Sequence, residues 1–265
     1  MTGDELFGAR ELESLAAVRA RVAGVTPARL LVGRAGTSYS TRTLLTLRAD
    51  HAAARDAVTA PLDLEDGPLA AALRDVGALV VSSRARTLQE HLRRPDLGRL
   101  LDEDDRGLVR DRCPADVDLQ VVVGDGLSAA AVAVHVPVVL PALLAAARDA
   151  GWSVGLPVLV RRCRVGVLND VGEVLRPRAA VLLVGERPGL AYAESLSAYV
   201  AWRPGPGQTD ADRVVLSGIS AGHRQGLPAH RAAEAVLAAV ASRLSPERRP
   251  GLQGGPTSSA GRPAR

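Results

Sequence analysis

Three runs of apolar, largely β-branched residues limit what this chain can fold into more than any other feature. "DLQVVVGDG" (118–126), "PVLVRRCRVGV" (157–167) and "AAVLLVGE" (179–186) each read as a buried strand. Between them lie two segments of helical character, "LSAAAVAVHVPVVLPALLAAARDAG" (127–151), which its prolines could split, and "NDVGEVLRP" (169–177). Strands that alternate with helices connect by right-handed crossovers, which predicts a parallel sheet with helices on both faces. Two further strand candidates follow, "LSAYVAW" (196–202) and "DRVVLSGI" (212–219). A closing amphipathic helix is expected from about Pro228 to Leu244, with Val236, Leu237, Val240 and Leu244 on one face.

The residues before Cys113 have a different character. Helical spacing is present over 9–23, over "LLTLRADHAAARDAV" (44–58) with Thr41 or Thr43 as cap, and over 67–76. A short strand, "ALVVSS" (78–83), interrupts them. The segment 88–109 reads as helical on both sides of Pro95, with Asp96 as a cap. The fold class is therefore α/β: a helical N-terminal part followed by a parallel-sheet domain. The expected division is 1–112, mainly helical; 113–245, the sheet domain; and 246–265, a disordered basic tail.

Charge adds little. The isoelectric point is 9.8, but four arginines and one glutamate in the last twenty residues supply +3 of the net charge of +4. The body is nearly neutral, so a nucleic-acid partner is not expected. The run 129–147 is interrupted by His135, Pro137 and Pro141 and is not expected to span a membrane. The first residues, "MTGDELFGARELE", are acidic and resemble neither a signal nor a transit peptide, so a cytoplasmic location is expected. All 33 basic residues are arginine. Without lysine there is no internal Schiff base with pyridoxal phosphate and no P-loop lysine. Cys113 and Cys163 read as free thiols, and the five histidines show no metal-ligand spacing. No metal site and no catalytic acid/base or nucleophile constellation is expected.

Two motifs carry chemistry. Gly124-Asp125-Gly126-Leu127-Ser128-Ala129 satisfies G-x-G-x-x-A between a strand and a helix, the pattern of a dinucleotide turn. Arg161 and Arg162, at the end of the next strand, would suit a 2′-phosphate. Against this, Asp125 places a carboxylate where a pyrophosphate needs positive potential. The same glycines also serve a tight turn. Glu186, in "VGERPG", ends an apolar strand at the edge where open α/β sheets bind ligands. A carboxylate there needs donors. A ligand, water or an ion pair with Arg187 would each supply them.

Taken in order, "GRAG", "TLLTLRADHAAARDAV", "RRPDLGRLL", "DLQVVVGDGLSA", "VGERPGLAYAESLSAY" and "TDADRVVLSGI" resemble the small subunit of adenosylcobalamin-dependent ethanolamine ammonia-lyase, over residues 29–245. The resemblance implies a helical N-terminal part followed by a Rossmann-like parallel-sheet domain, in a subunit that is inactive alone. It holds adenosylcobalamin against a TIM-barrel large subunit for radical conversion of ethanolamine to acetaldehyde and ammonia. It implies Val165 in "CRVGV", Glu186 in "VGERPG" and Val215 in "DRVVLS" as cofactor-binding residues, with Asp125 and Glu186 accepting from the amides of the corrin edge. The chain departs from the family at Val215, where members often have Cys, and at Ser217-Gly218-Ile219, where they have "SNI". An N-terminal extension, linked in relatives to a bacterial microcompartment, is expected to be missing; that compartment is the other location the resemblance raises. No D-x-H-x-x-G motif occurs, so dimethylbenzimidazole is expected to stay on cobalt. An NADP-dependent oxidoreductase built on "GDGLSA" and a non-catalytic cofactor-binding module are the alternatives.

Overall fold

The computed structural model describes residues 9–26, 28–220 and 226–244. The tail expected beyond residue 245 lies outside the described residues. The helices are α1 (Ala9–Val25), α2 (Thr41–Thr59), α3 (Gly67–Asp75), α4 (Leu88–Arg93), α5 (Glu103–Arg112), α6 (Ala129–Asp149), α7 (Val167–Leu175) and α8 (Ala229–Ala241). The strands are β1 (Arg34–Ala35), β2 (Ser38–Tyr39), β3 (Leu79–Ser82), β4 (Leu119–Gly124), β5 (Val158–Arg161), β6 (Ala179–Gly185), β7 (Leu196–Trp202) and β8 (Val214–Ile219). β1 and β2 form a small hairpin; the other six make one sheet in the order β3-β5-β4-β6-β7-β8. The chain is thus mixed α/β, with a helical N-terminal part and a mostly parallel sheet.

β3, β5, β4 and β6 run parallel, as the strand-helix alternation predicts. The alternation ends at β6. Residues 186–195 hold no helix, so the chain cannot cross over, and β7 returns antiparallel to β6, followed by β8 antiparallel to β7. β4 and β6 are buried along their whole length, which is why they read as unbroken apolar runs rather than alternating ones. Their successive residues serve opposite layers. Val121, Val123, Val181 and Leu183 face the layer of α3, α6 and α8, while Val122, Leu182 and Val184 face that of α5 and α7. β3 comes from before residue 112 and forms the edge next to β5.

Two details differ from the sequence expectation. α6 is not split at its prolines: it continues through Pro137 and Pro141. Val136, Val139, Leu140, Leu143 and Leu144 are buried on both sides of those residues, so packing on the sheet, α3 and α8 holds the helix through the lost hydrogen bonds. α6 is long and apolar enough to cross a membrane, but half of that apolar window is buried inside the protein. The caps also shift. Ser40, not Thr41 or Thr43, caps α2, its hydroxyl accepting from Thr43 N at 3.3 Å. Asp96 pairs with Arg94 at 2.7 Å and makes no cap bond; Thr87 caps α4 and Asp102 caps α5.

α7 carries a glycine at its centre for a reason visible only in the packing. A Cβ on Gly172 would lie 2.1 Å from the Pro204 carbonyl oxygen. Helix propensity alone would favour Gly172→Ala by about 1 kcal/mol. The steric overlap reverses that sign, so urea denaturation should show Gly172→Ala to be less stable than the parent. A more stable variant would mean that α7 does not sit against Pro204.

Candidate functional site

The carboxyl ends of β5, β4 and β6 meet at two glycines. Gly126, in the turn from β4 to α6, has φ +56°, and a Cβ there would lie 2.3 Å from the Gly185 carbonyl oxygen. A Cβ on Gly185 would lie 2.2 Å from Ser128 O. Leu127 N donates to Gly185 O at 3.0 Å. The turn therefore rests backbone to backbone on the end of β6. Dinucleotide sites use the glycine at this position to let a pyrophosphate approach. Here that space is filled by β6.

Asp125 is held by the chain itself. Its carboxylate accepts from Arg162 N at 2.6 Å and from Cys163 N at 3.1 Å. It is turned under the loop between β5 and α7, where it holds Arg162 in a left-handed conformation, φ 55°. Each Asp125 oxygen already accepts one amide of the chain itself, and Asp125 lines none of the three cavities described below, so the geometry lends no support to the expected corrin contact.

Three cavities lie side by side above this floor. The central one, about 130 Å³, is lined by Val165, Val184, Glu186, Arg187, Tyr199 and neighbouring residues. It shares Arg164 and Val165 with a wider cleft of about 720 Å³ that runs toward Arg99, Gln208 and Arg213. It shares Glu186 and Arg187 with a third of about 410 Å³, bordered by Arg29, Leu190 and Tyr192. Together they form a trough along the carboxyl edge of the sheet. Val165 and Glu186 thus line one cavity. Val215 does not line it, but it is 42 % exposed and sits directly across the β7–β8 ladder from Tyr199, which does.

Glu186 is half-buried, and among the described residues its carboxylate is held by two hydroxyls and a backbone amide rather than by Arg187. Oε2 accepts from Ser195 Oγ at 2.6 Å; Oε1 accepts from Ser197 Oγ at 2.5 Å and from Gly218 N at 2.8 Å. The carboxylate joins the end of β6 to β7 and β8. Gly218 has φ +72°. Glycine and asparagine are the residues that adopt such a conformation most readily. The Gly that stands in "SGI" for the Asn of "SNI" therefore leaves this backbone donor in place.

Polar atoms without partners gather at the wide cleft. Among the described residues, Arg164 Nε, Arg213 Nε and Gln208 Oε1 are buried with no hydrogen bond, and all three residues line it. Burial pushes the Arg164 and Arg213 guanidiniums below their ordinary pKa, and for both the charge of Arg99 adds to that effect. Arg187 repels Arg164 as well. Asp170 and Glu173, on the same cleft, are both engaged by Arg106. Asp210, also on this cleft, pairs with Arg213, so that among the described residues Arg99, Arg164 and Arg187 are the arginines lining the trough without an ion pair. Among the described residues no group of three or more His, Cys, Asp or Glu is placed to hold a metal ion.

A model of the family described as "Ethanolamine ammonia-lyase light chain (EutC)" matches residues 17–253. A Fusobacterium nucleatum protein named ethanolamine ammonia-lyase small subunit is 44 % identical over 207 residues, 78 % of this chain and 67 % of its own length. A Clostridium acetobutylicum protein of the same name is 35 % identical over 213 residues, 80 % and 84 % of the two chains. One from Pseudomonas aeruginosa PAO1 is 43 % identical over 216 residues, 78 % and 77 %.

The three hydrogen bonds to Glu186 generate a test. Glu186→Ala removes the acceptor of all three bonds and leaves the Gly218 N–H without its partner, which should cost about 1–3 kcal/mol of folding stability without any ligand. Thermal and urea unfolding of the ligand-free chain measure it. Unchanged unfolding would mean that the carboxylate is not the staple between β6, β7 and β8.

Proposed function

Because the chain belongs to the ethanolamine ammonia-lyase light-chain family, we propose that it is the small subunit of that enzyme and holds adenosylcobalamin in the trough against a catalytic large subunit. The observation that carries this reading is that Val165 and Glu186, taken from separate motifs, line one cavity at the carboxyl edge of the sheet. Val215 lies at its rim, opposite Tyr199.

The residues present fit the group. A corrin edge bears neutral amides, which both donate and accept. Arg164 Nε and Gln208 Oε1 offer a donor and an acceptor not used by the protein. Glu186 Oε2 accepts one bond from Ser195 and retains capacity for a second. Val165, Val215 and Tyr199 supply apolar contact for the ring, and the surplus arginine charge suits the phosphodiester of the cofactor's nucleotide loop. The radical chemistry that converts ethanolamine to acetaldehyde and ammonia comes from the bound cofactor. The residues of this chain bind, orient and shield it. Among the described residues none is arranged as an acid/base or nucleophile pair for a reaction of its own, and in this reading the substrate site belongs to the large subunit.

In this reading residues 1–112 and 113–245 are the helical and sheet units of the subunit, β3 of the first extending the sheet of the second. The subunit works in the cytoplasm or inside a bacterial microcompartment, without a nucleic-acid or membrane partner. The NADP reading of "GDGLSA" is disfavoured because the approach at Gly126 is closed by Gly185 and no ligand amide is needed to explain Asp125.

Acetaldehyde release is the test. The chain alone should release none from ethanolamine, with or without adenosylcobalamin. Mixed with a large subunit of the family and the cofactor, it should give turnover, and the cobalamin spectrum should change on mixing. Turnover by the chain alone, or a spectral response to NADPH in place of adenosylcobalamin, would contradict the proposal.

A further inference from the structure

One buried side chain beneath the trough is left unexplained by cofactor contact. His91, on α4, is 1 % exposed. Its Nε2 lies 2.6 Å from Gly126 O, and its Nδ1 lies 2.8 Å from Arg162 O. Both neighbours are backbone carbonyls, which only accept. A neutral imidazole carries one N–H, so one of these short contacts would set lone pair against lone pair. With both nitrogens protonated, both contacts are hydrogen bonds, and each is charge-assisted. Arg162 O is already served by Ser83 Oγ at 2.7 Å, so it does not need His91 to be satisfied.

The charges around the ring are mixed, with Asp125 favouring a charged imidazole and Arg164 opposing it. Asp125 lies in the turn after β4, and both its oxygens accept backbone N–H bonds, the pattern that suits a carboxylate rather than a carboxylic acid. Burial is the largest influence on each group, pulling His91 down and Asp125 up, toward a neutral pair. Arg164 also opposes charge on His91, while the Gly126 carbonyl, the Asp125 carboxylate and the Arg162 carbonyl favour it. The hydrogen bonds decide between these. Only the charged forms leave no donor facing a donor and no acceptor facing an acceptor.

The two carbonyls belong to the two segments that border the trough. Gly126 is the turn that rests on β6, and Arg162 opens the loop that carries Arg164 and Val165. His91 closes the circuit, since its own carbonyl accepts from Arg164 Nη2 at 2.6 Å. We propose that His91 is a positioning residue for the trough, with both ring nitrogens protonated, tying the β4–α6 turn to the β5–α7 loop and so setting where Arg164 and Val165 stand. It touches no cofactor itself. This inference deepens the cofactor reading in its binding arm and is independent of it in its spectroscopic arm.

The experiment has those two arms. The full chain, labelled with ¹⁵N-histidine and assigned by the His91→Gln variant, should show both His91 ring nitrogens as protonated nitrogens at neutral pH. A spectrum of a neutral tautomer would overturn the charge assignment. Adenosylcobalamin is then titrated into the complex with a large subunit. His91→Gln keeps one donor nitrogen and loses the second bond, so Arg164 and Val165 are no longer fixed by both segments and affinity should fall, by at most about tenfold if the whole of one hydrogen bond is spent on re-ordering them on binding. His91→Asn is the second variant, in case the first does not fold. Unchanged affinity in a folded variant, or failure of both to fold, would reduce His91 to a purely structural residue. No binding by the parent complex would instead sink the cofactor reading and the positioning role with it, while the nitrogen spectrum would still decide the charge.

Discussion

The contact on which this molecule's site depends is between two glycines. The turn after β4 lies on the end of β6 so closely that neither Gly126 nor Gly185 has room for a methyl group. Interiors are packed tightly enough that such an overlap cannot be absorbed by small shifts. The approach sets the level of the trough floor and closes the space that a dinucleotide would use. It also brings Leu127, Val184 and Glu186 to one edge, where the cavities open.

From that floor, two carboxylates organise the walls without contacting each other's loops. Asp125 gathers the amides of Arg162 and Cys163 and so shapes the entry to α7. Glu186 gathers two serine hydroxyls and the Gly218 amide and so joins β6 to β7 and β8. Each is an acceptor-only group surrounded by donors, an arrangement that offsets the cost of burying charge. Asp125 lines none of the three cavities, whereas Glu186 lines two of them and keeps acceptor capacity at Oε2. One residue can therefore be both a staple between strands and a ligand contact, two roles that look like rivals when the sequence is read alone.

The layered core was legible because its signals are local. β4 and β6 are buried on both faces, and their unbroken apolar runs say so. The position of Glu186 at a strand end follows from the same pattern. What was hidden depends on distant partners. Asp125 meets amides 37 and 38 residues away, and no spacing rule connects them. His91 is a lone histidine in a mixed helix, and its two carbonyl partners are separated from it by 35 and 71 residues. The antiparallel return of β7 follows from the lack of a helix over 186–195, a negative signal that apolar periodicity does not report. α6 passed through two prolines because tertiary packing overrode local propensity.

The central claim is that the cofactor lies on this chain between Val165 and Glu186. A cryo-electron microscopy map of the chain assembled with a large subunit of the family and adenosylcobalamin tests it most directly. The account predicts corrin density in the trough, with Val165 and Glu186 in contact with it and Val215 at its margin. Corrin density elsewhere on this chain, or held by the large subunit while the trough faces solvent, would contradict it.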